Sequence, residues 1–169
     1  MRFWGLIMIC LPVSLTGLMY IAAVKKRARL CLALSELTEE LSRCFTETGA
    51  DLIIALGYIG EKEKFSCFGF ISAVRARLQG GEELREVWQD CVRNDSALSA
   101  LTPDEREILL PLYECFDSSS MDELSVRLSV YSARLKNAAD EENRRLKKNG
   151  RAAAGLSALG AAALFIILI

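Results

Sequence analysis

Apolar and polar positions divide the chain into three parts. An uncharged run of 22 residues extends from Phe3 to Val24, and a second run of 18 residues extends from Ala152 to Ile169. A helix needs about 20 apolar residues, with a range of about 17–25, to span the hydrocarbon core of a bilayer. The pattern therefore predicts a transmembrane helix in residues 1–24, a second one in residues 152–169, and a separate domain in residues 25–151.

The apolar residues of the middle part recur three and four positions apart, as they do on one face of an α-helix. This spacing predicts six helices, whose approximate bounds are 26–48, 51–59, 65–79, 82–92, 103–116 and 121–149. The expected core-facing residues include Leu30, Leu34, Leu37, Leu41 and Phe45 on the first helix, Leu84, Val87, Trp88 and Cys91 on the fourth, and Met121, Leu124, Leu128, Tyr131 and Leu135 on the last. The fold class is therefore all-α, a bundle of about six helices between the two transmembrane helices.

Several local signals mark where these helices begin and end. Thr102-Pro103-Asp104-Glu105 and Ser120-Met121-Asp122-Glu123 both have the form of a capping box, in which the first and fourth residues bond each other's backbone. Gly49 is expected to end the first helix, and Asn149-Gly150 to break the last one before the second membrane segment. Residues 137–143, which include Glu141 and Glu142, are polar nearly all round and indicate a solvated stalk, with a partner-binding surface as the alternative.

Positive charge borders both apolar ends. One basic collar consists of Lys25, Lys26, Arg27 and Arg29, and the other of Arg144, Arg145, Lys147, Lys148 and Arg151. Such flanks stay on the cytoplasmic side of a membrane. We therefore expect a two-pass protein of the cell membrane, whose middle domain is cytoplasmic. A cleaved signal peptide is the alternative for the first segment, but the dense basic cluster after it favours a retained anchor.

The body between the collars is acidic. Residues 30–143 contain 22 acidic and 11 basic side chains, a net charge of −11. This charge repels nucleic-acid phosphates, so nucleic acid is not an expected partner. The collars attract anionic lipid head groups, and membrane lipids are therefore expected partners.

Residues that would carry chemistry are few. The chain has no histidine, its six cysteines form no C-x-x-C pair, and no phosphate-binding loop motif is present. We predict no catalytic, cofactor or metal site, no small-molecule substrate, and no enzymatic activity; a membrane-bound enzyme using Cys91 or Cys115 is the rival hypothesis. In the last segment Ala153, Ser157 and Ala161 recur every four residues, a spacing that allows close packing between transmembrane helices.

Several segments resemble a known family. Leu37, Glu40 and Leu41 fit its first amphipathic helix, Glu86-Val87-Trp88 is similar to its "(E/A)-A-W" segment, and Leu101 to Leu109 is similar to its "L-T-x-x-D-x-x-I-L" stretch. With the order of the elements, these segments identify the chain as resembling stage III sporulation protein AB. Before the last helix, Phe116-Asp117, Ser120 and Leu124 stand where the family usually has Leu-Gly, Asp and Gln, which is typical of a divergent member.

This resemblance implies a function. The family belongs to a transenvelope channel complex between mother cell and forespore, and its cytoplasmic part is similar to the F-type platform domains of type II secretion systems, which contact a cytoplasmic ATPase. The expected partners are thus other stage III sporulation proteins, including a secretion-type ATPase, and the expected location is the outer forespore membrane. A structural tether or oligomerising scaffold unrelated to secretion is the alternative. Candidate partner or structural positions are Glu86, Trp88, Asp104, Glu105, Asp117, Glu141 and Glu142.

Overall fold

The computed structural model describes the backbone of residues 2–118 and 120–168 and the side chains of residue 19, residues 21–118 and residues 120–148. This part of the chain is all-helical, as predicted. Its α-helices are α1 (Arg2–Thr48), α2 (Leu52–Gly60), α3 (Gly69–Gln79), α4 (Leu84–Asn94), α5 (Pro103–Leu109) and α6 (Met121–Leu168). Three 3-10 segments, Glu63–Phe65, Leu98–Ala100 and Leu110–Asp117, connect them.

The two long helices α1 and α6 pack against each other in antiparallel orientation. The hydroxyl of Ser132 on α6 donates a hydrogen bond of 2.8 Å to Glu39 on α1, and Arg27 on α1 lies 2.5 Å from Glu142 on α6. Residue numbers therefore fall along α6 as they rise along α1. Because of this orientation, the beginning of α1 and the end of α6 leave the bundle at the same end.

The core forms where the shorter helices α2 to α5 pack with this pair. All five residues of the α1 stripe are buried, as are Leu124, Leu128 and Leu135 on α6, so these predicted faces are confirmed. Met121 is 50% exposed and its predicted burial is wrong, because the apolar contacts of α6 begin only with Leu124, one turn later. Gly49 ends α1 with a φ of 58°, in the left-handed region that favours glycine.

Trp88 joins the middle helices to one another. It is buried, and its ring centroid lies 5.7 Å from that of Phe70 and 5.7 Å from that of Phe116. Its indole N–H donates a hydrogen bond of 2.9 Å to the carbonyl oxygen of Leu109, the last residue of α5. This bond ties α4 to the point where α5 ends and the 3-10 segment Leu110–Asp117 begins.

The helix predicted over 103–116 is in fact α5 followed by a 3-10 segment. Pro111 has no N–H to donate, and its ring clashes with the carbonyl four residues earlier, so an α-helix cannot continue through it. The α-helix ends at Leu109, and the chain tightens into the 3-10 segment Leu110–Asp117.

The helix predicted to begin at Phe65 begins only at Gly69, and its start is capped by a distant residue. One carboxylate oxygen of Asp95 accepts a 2.7 Å hydrogen bond from the N–H of Phe70, and the other accepts from Ala97 and Leu98 at 2.7 and 3.1 Å. Because this cap comes from beyond α4, no local signal in residues 65–70 marked it.

The stalk interpretation of residues 137–143 is wrong. Ala139 and Glu142 are both buried, and α6 is helical without a break at Asn149-Gly150. The physical reason is that α1 is also continuous, from Arg2 to Thr48, and covers one face of α6 over this length.

No helical segment among the described side chains combines the length and hydropathy that a bilayer-crossing helix needs. Of the predicted transmembrane helices, 152–169 lies wholly outside those side chains and 1–24 lies mostly outside them. The side chains of Ala153, Ser157 and Ala161 are outside them too. Both membrane segments, and their packing, stay predictions.

Replacing Trp88 by phenylalanine should lower the free energy of unfolding by about 1–3 kcal/mol, because a buried hydrogen bond to the carbonyl of Leu109 and part of the ring packing against Phe70 and Phe116 are lost. The measurement is denaturant unfolding of the full-length chain in detergent, followed by far-ultraviolet circular dichroism. Tyr58→Phe, which removes a hydroxyl from an exposed ring, is the control and should change the free energy of unfolding by less than about 0.5 kcal/mol. Equal unfolding midpoints for the two variants would contradict this role of Trp88.

Candidate functional site

Three charged side chains from three helices meet where the long pair leaves the bundle. Arg27 of α1 lies 3.3 Å from Glu105 of α5 and 2.5 Å from Glu142 of α6. Both carboxylates are buried, with 6% and 7% of their residue surface exposed. We call Arg27, Glu105 and Glu142 the ion cluster. Burial of charge is costly unless the charges pair, and here both carboxylates pair with the same cation, Arg27.

The predicted capping box places one member of this cluster. The N–H of Thr102 donates to Glu105 Oε2 at 2.8 Å, and the N–H of Glu105 donates to Thr102 Oγ1 at 3.3 Å, so the box is confirmed. The same Oε2 atom faces Arg27. The box at the start of α5 therefore also orients the carboxylate that binds α1.

A second cation balances the cluster from outside. Arg145 lies 3.6 Å from Glu142 and 2.7 Å from the exposed Glu141. Two positive side chains, Arg27 and Arg145, and three negative ones, Glu105, Glu141 and Glu142, thus lie around the contact between α1, α5 and α6. Cys31, one turn after Arg27, is buried beside them; burial and then the charge of Glu105 raise its pKa to about 12, so this thiol keeps its proton.

This arrangement binds helices together and offers no reactive group. The guanidinium of Arg27 forms ion pairs with both carboxylates, although its Nε atom forms no hydrogen bond, and these pairs serve to set the position of α1, α5 and α6. The described cysteines Cys91 and Cys115 also argue against a reactive group. Burial raises the pKa of Cys91, and raises that of Cys115 to about 11, whereas the nucleophilic form of a cysteine is the thiolate. Among the described residues, no group of three or more His, Cys, Asp or Glu side chains could hold a metal ion.

The structure separates the seven predicted partner or structural positions into two groups. Trp88, Glu105 and Glu142 are buried and bonded within the bundle, which favours the structural alternative for these three positions. Exposed positions are Glu86, Asp104, Asp117 and Glu141, and for these a partner contact stays a prediction. Asp117 lines a surface pocket with Arg85, Tyr113 and Arg127, and Glu141 pairs with Arg145.

Sequence reasoning missed Arg27 and Asp95. Arg27 was expected in the basic collar facing lipid, and the spacing of charges along α1 does not reveal that it turns inward. Asp95 followed α4 without any motif of its own. The position of Glu105 could have been predicted in part, because a glutamate in a capping box turns its side chain back towards the start of its helix.

Comparison with known proteins identifies the family of this chain. The family model for stage III sporulation protein AB matches residues 2–169. The chain belongs to this family. Family membership makes it a stage III sporulation protein and indicates that it interacts with other stage III sporulation proteins. No curated protein and no solved structure matched the chain. The likeness to F-type platform domains therefore stays a prediction.

Replacing Glu142 by glutamine should lower the free energy of unfolding by about 1–3 kcal/mol, because Arg27 keeps its buried charge but loses a carboxylate. Glu141→Gln, one residue away and exposed, removes only a surface pair and should cost less than about 0.5 kcal/mol. Both are measured by denaturant unfolding of the full-length chain. If the two variants were equally stable, the ion cluster would not hold the helices as described.

Proposed function

We propose that this stage III sporulation protein is a non-enzymatic, membrane-anchored subunit of the transenvelope channel complex, acting as a platform-like adaptor for a cytoplasmic ATPase. The observation that carries the proposal is the antiparallel packing of α1 and α6. Both ends of the chain leave the bundle at the level of the two basic collars, and the acidic body extends the other way.

The distribution of charge supports an anchor at the collar end. Lys25, Lys26 and Arg29 of the first collar are exposed, as are Arg144, Arg145, Lys147 and Lys148 of the second. Exposed cations beside apolar segments favour contact with anionic lipid head groups on the cytoplasmic side. The acidic body is repelled by the same lipids, which favours a position where it meets cytoplasmic proteins in the mother cell.

The state of the thiols supports the absence of catalysis. Cys91 and Cys115, the nucleophiles of the rival enzyme hypothesis, both have a raised pKa because of burial. A protonated, buried thiol is a poor nucleophile.

An oligomerising scaffold is the second candidate function. One observation favours it: Val126 and Val130, one turn apart on α6, are 61% and 45% exposed. A contiguous exposed apolar patch marks a contact with another protein, and these two valines would form part of one. This candidate and the adaptor are compatible, since a platform can be built of several copies.

Thiol labelling tests the proposed topology. Cys67 is exposed, whereas Cys31 and Cys115 are buried. In inverted vesicles, a membrane-impermeant maleimide should modify Cys67, mapped by mass spectrometry, and should modify Cys31 and Cys115 only after denaturation. In intact spheroplasts Cys67 should stay unmodified. Labelling of Cys67 in the spheroplasts would place the middle domain outside the cytoplasm.

Binding to the ATPase tests the adaptor role. Full-length protein in detergent should bind the purified secretion-type ATPase of the complex. The dissociation constant should rise at least about fivefold when NaCl is raised from about 50 to about 500 mM, because salt screens charged contacts. A basic protein unrelated to the complex, tested in parallel, controls for unspecific attraction to the acidic body. Absence of binding at the lower salt concentration would refute the adaptor role.

A further inference from the structure

A cleft of about 420 Å³ lies between the first basic collar on α1 and the chain segment that connects α2 to α3. Its volume is within the range of about 300–1,000 Å³ that is typical of sites for small molecules. We call it the collar cleft. It is lined from the connecting segment by Cys67 and from α1 by Ala22, Lys25, Lys26, Arg29 and Ala33.

Two ion pairs place the connecting segment along α1. Lys62 lies 2.7 Å from Glu40, and Lys64 pairs with Glu36, one turn nearer the collar. Cys67 follows three residues later and lines the cleft. The segment therefore runs back along α1 towards the collar, and the cleft is formed near the end of that segment. Because Glu36 and Glu40 are paired in this way, they do not neutralise the cations of the cleft.

The cleft carries positive charge that the bundle does not balance. Lys25, Lys26 and Arg29 are exposed and form no ion pair in the described part of the chain. Arg27, the fourth cation of this collar, turns inward to the ion cluster instead. An occupant of the collar cleft therefore brings negative charge of its own.

The apolar outer face of α2 has the opposite charge at its edge. Ile54 and Tyr58 are 64% and 55% exposed there, and the exposed carboxylates of Glu47 and Asp51 lie beside them. An anionic ligand is repelled from that face. Attraction for such a ligand is thus a property of the collar cleft and not of exposed apolar surface in general.

With the membrane anchoring proposed above, on which this step rests, the three cations lie at the depth of lipid phosphates. The first apolar run ends at Val24, and α1 continues through it to Thr48. At 1.5 Å per residue, Lys25 and Arg29 stand about 2 and about 8 Å beyond Val24. The head-group region on each side of the hydrocarbon core is about 5–8 Å thick. A lipid head group therefore reaches these cations without leaving its own layer.

We propose that the collar cleft binds the head group of one anionic phospholipid. The phosphodiester lies among the three cations, the acyl chains leave past Ala22 into the hydrocarbon core, and the rest of the head group faces Ala33 and Cys67. A choline or ethanolamine group would bring a further cation into the cleft. Lipids of net negative charge, such as phosphatidylglycerol, are therefore preferred.

The second collar provides a matched comparison, because it stands beside the first but does not line the cleft. The contact of Arg27 with Glu142 puts Arg144, Lys147 and Lys148 at nearly the height of the first collar. All three are exposed and none lines the collar cleft. General attraction between cations and an anionic bilayer predicts equal roles for the two collars, whereas a binding site in the cleft predicts unequal ones.

Native mass spectrometry of the full-length chain in a neutral detergent, titrated with dioleoyl phosphatidylglycerol or dioleoyl phosphatidylcholine, tests the site. The first phosphatidylglycerol should bind at least about tenfold more tightly than phosphatidylcholine, since each cation near an anionic lipid adds to its affinity. Lys25→Gln with Lys26→Gln and Arg29→Gln should abolish this preference. The control, Arg144→Gln with Lys147→Gln and Lys148→Gln, removes the same charge outside the cleft and should change the dissociation constant less than about threefold.

A pair of substitutions at one position tests whether the lipid lies inside the cleft. Cys67→Trp places a large ring in the cleft without changing its charge and should weaken the first binding step at least about fivefold, whereas Cys67→Ser should bind like the wild type. Cys67 is exposed, and unchanged circular dichroism verifies the fold of both variants. Bound lipid should slow the maleimide reaction of Cys67 without stopping it, because lipid exchanges between the cleft and the micelle. Glycerol 3-phosphate in large excess should not displace the lipid, since the acyl chains are part of the ligand.

Equal losses in the two collar variants would overturn the proposal, because general attraction would then explain the binding. Displacement by glycerol 3-phosphate would also overturn it and would make the occupant a soluble phosphate compound. So would the absence of a preference for phosphatidylglycerol combined with loss of ATPase binding in the first-collar variant, which would assign the cleft to a protein. Binding in detergent does not depend on the orientation of the chain in a membrane, so this result is independent of the topology that the labelling of Cys67 in vesicles tests.

Discussion

The rest of the structure depends on the antiparallel contact between α1 and α6. Both helices bury an apolar stripe in one common core, and this contact determines where the other features of the molecule lie. The stripe from Leu30 to Phe45 is buried along its whole length, as are Leu124, Leu128 and Leu135 on the opposite helix. Burying a leucine side chain contributes about 1.5–3 kcal/mol, so these buried stripes contribute a large share of the stability of the bundle. The short helices pack with this pair, and α2 is left at its far end with one face uncovered.

Polar contacts set the register of the pair more sharply than the apolar ones do. Leucines tolerate sliding, whereas Arg27 with Glu142 and Ser132 with Glu39 require particular neighbours. A slip by one helical turn, about 5.4 Å, would separate both pairs at once and leave buried charges unsatisfied. The capping box at the start of α5 directs Glu105 towards Arg27 as well. Arg27 therefore links the start of α5 to the register of α1 and α6.

The two ends of the molecule differ in their chemistry. One end has exposed cations next to the ion cluster, where the long helices continue alone. The other end has the apolar outer face of α2, with Glu47 and Asp51 at its rim. The two ends lie about 30 Å apart along α1, counted from Arg27 to Glu47. This division of the molecule is what the proposed function needs, with lipid contacts at one end and protein contacts at the other.

The sequence by itself determined the helical class, the buried stripes of α1 and α6, the end of α1 at Gly49 and the capping box at Thr102. These features follow from spacing and from contacts within one or two turns, which the chain displays directly. Only the tertiary structure decided that α3 begins at Gly69, that residues 137–143 pack against α1, that Arg27 turns inward, and that α2 keeps an open face. Each of these depends on residues far apart in the chain, such as Asp95 with Phe70 and Arg27 with Glu142. The energy of such a pair exists only once the fold has brought its members together, so no local pattern reveals it.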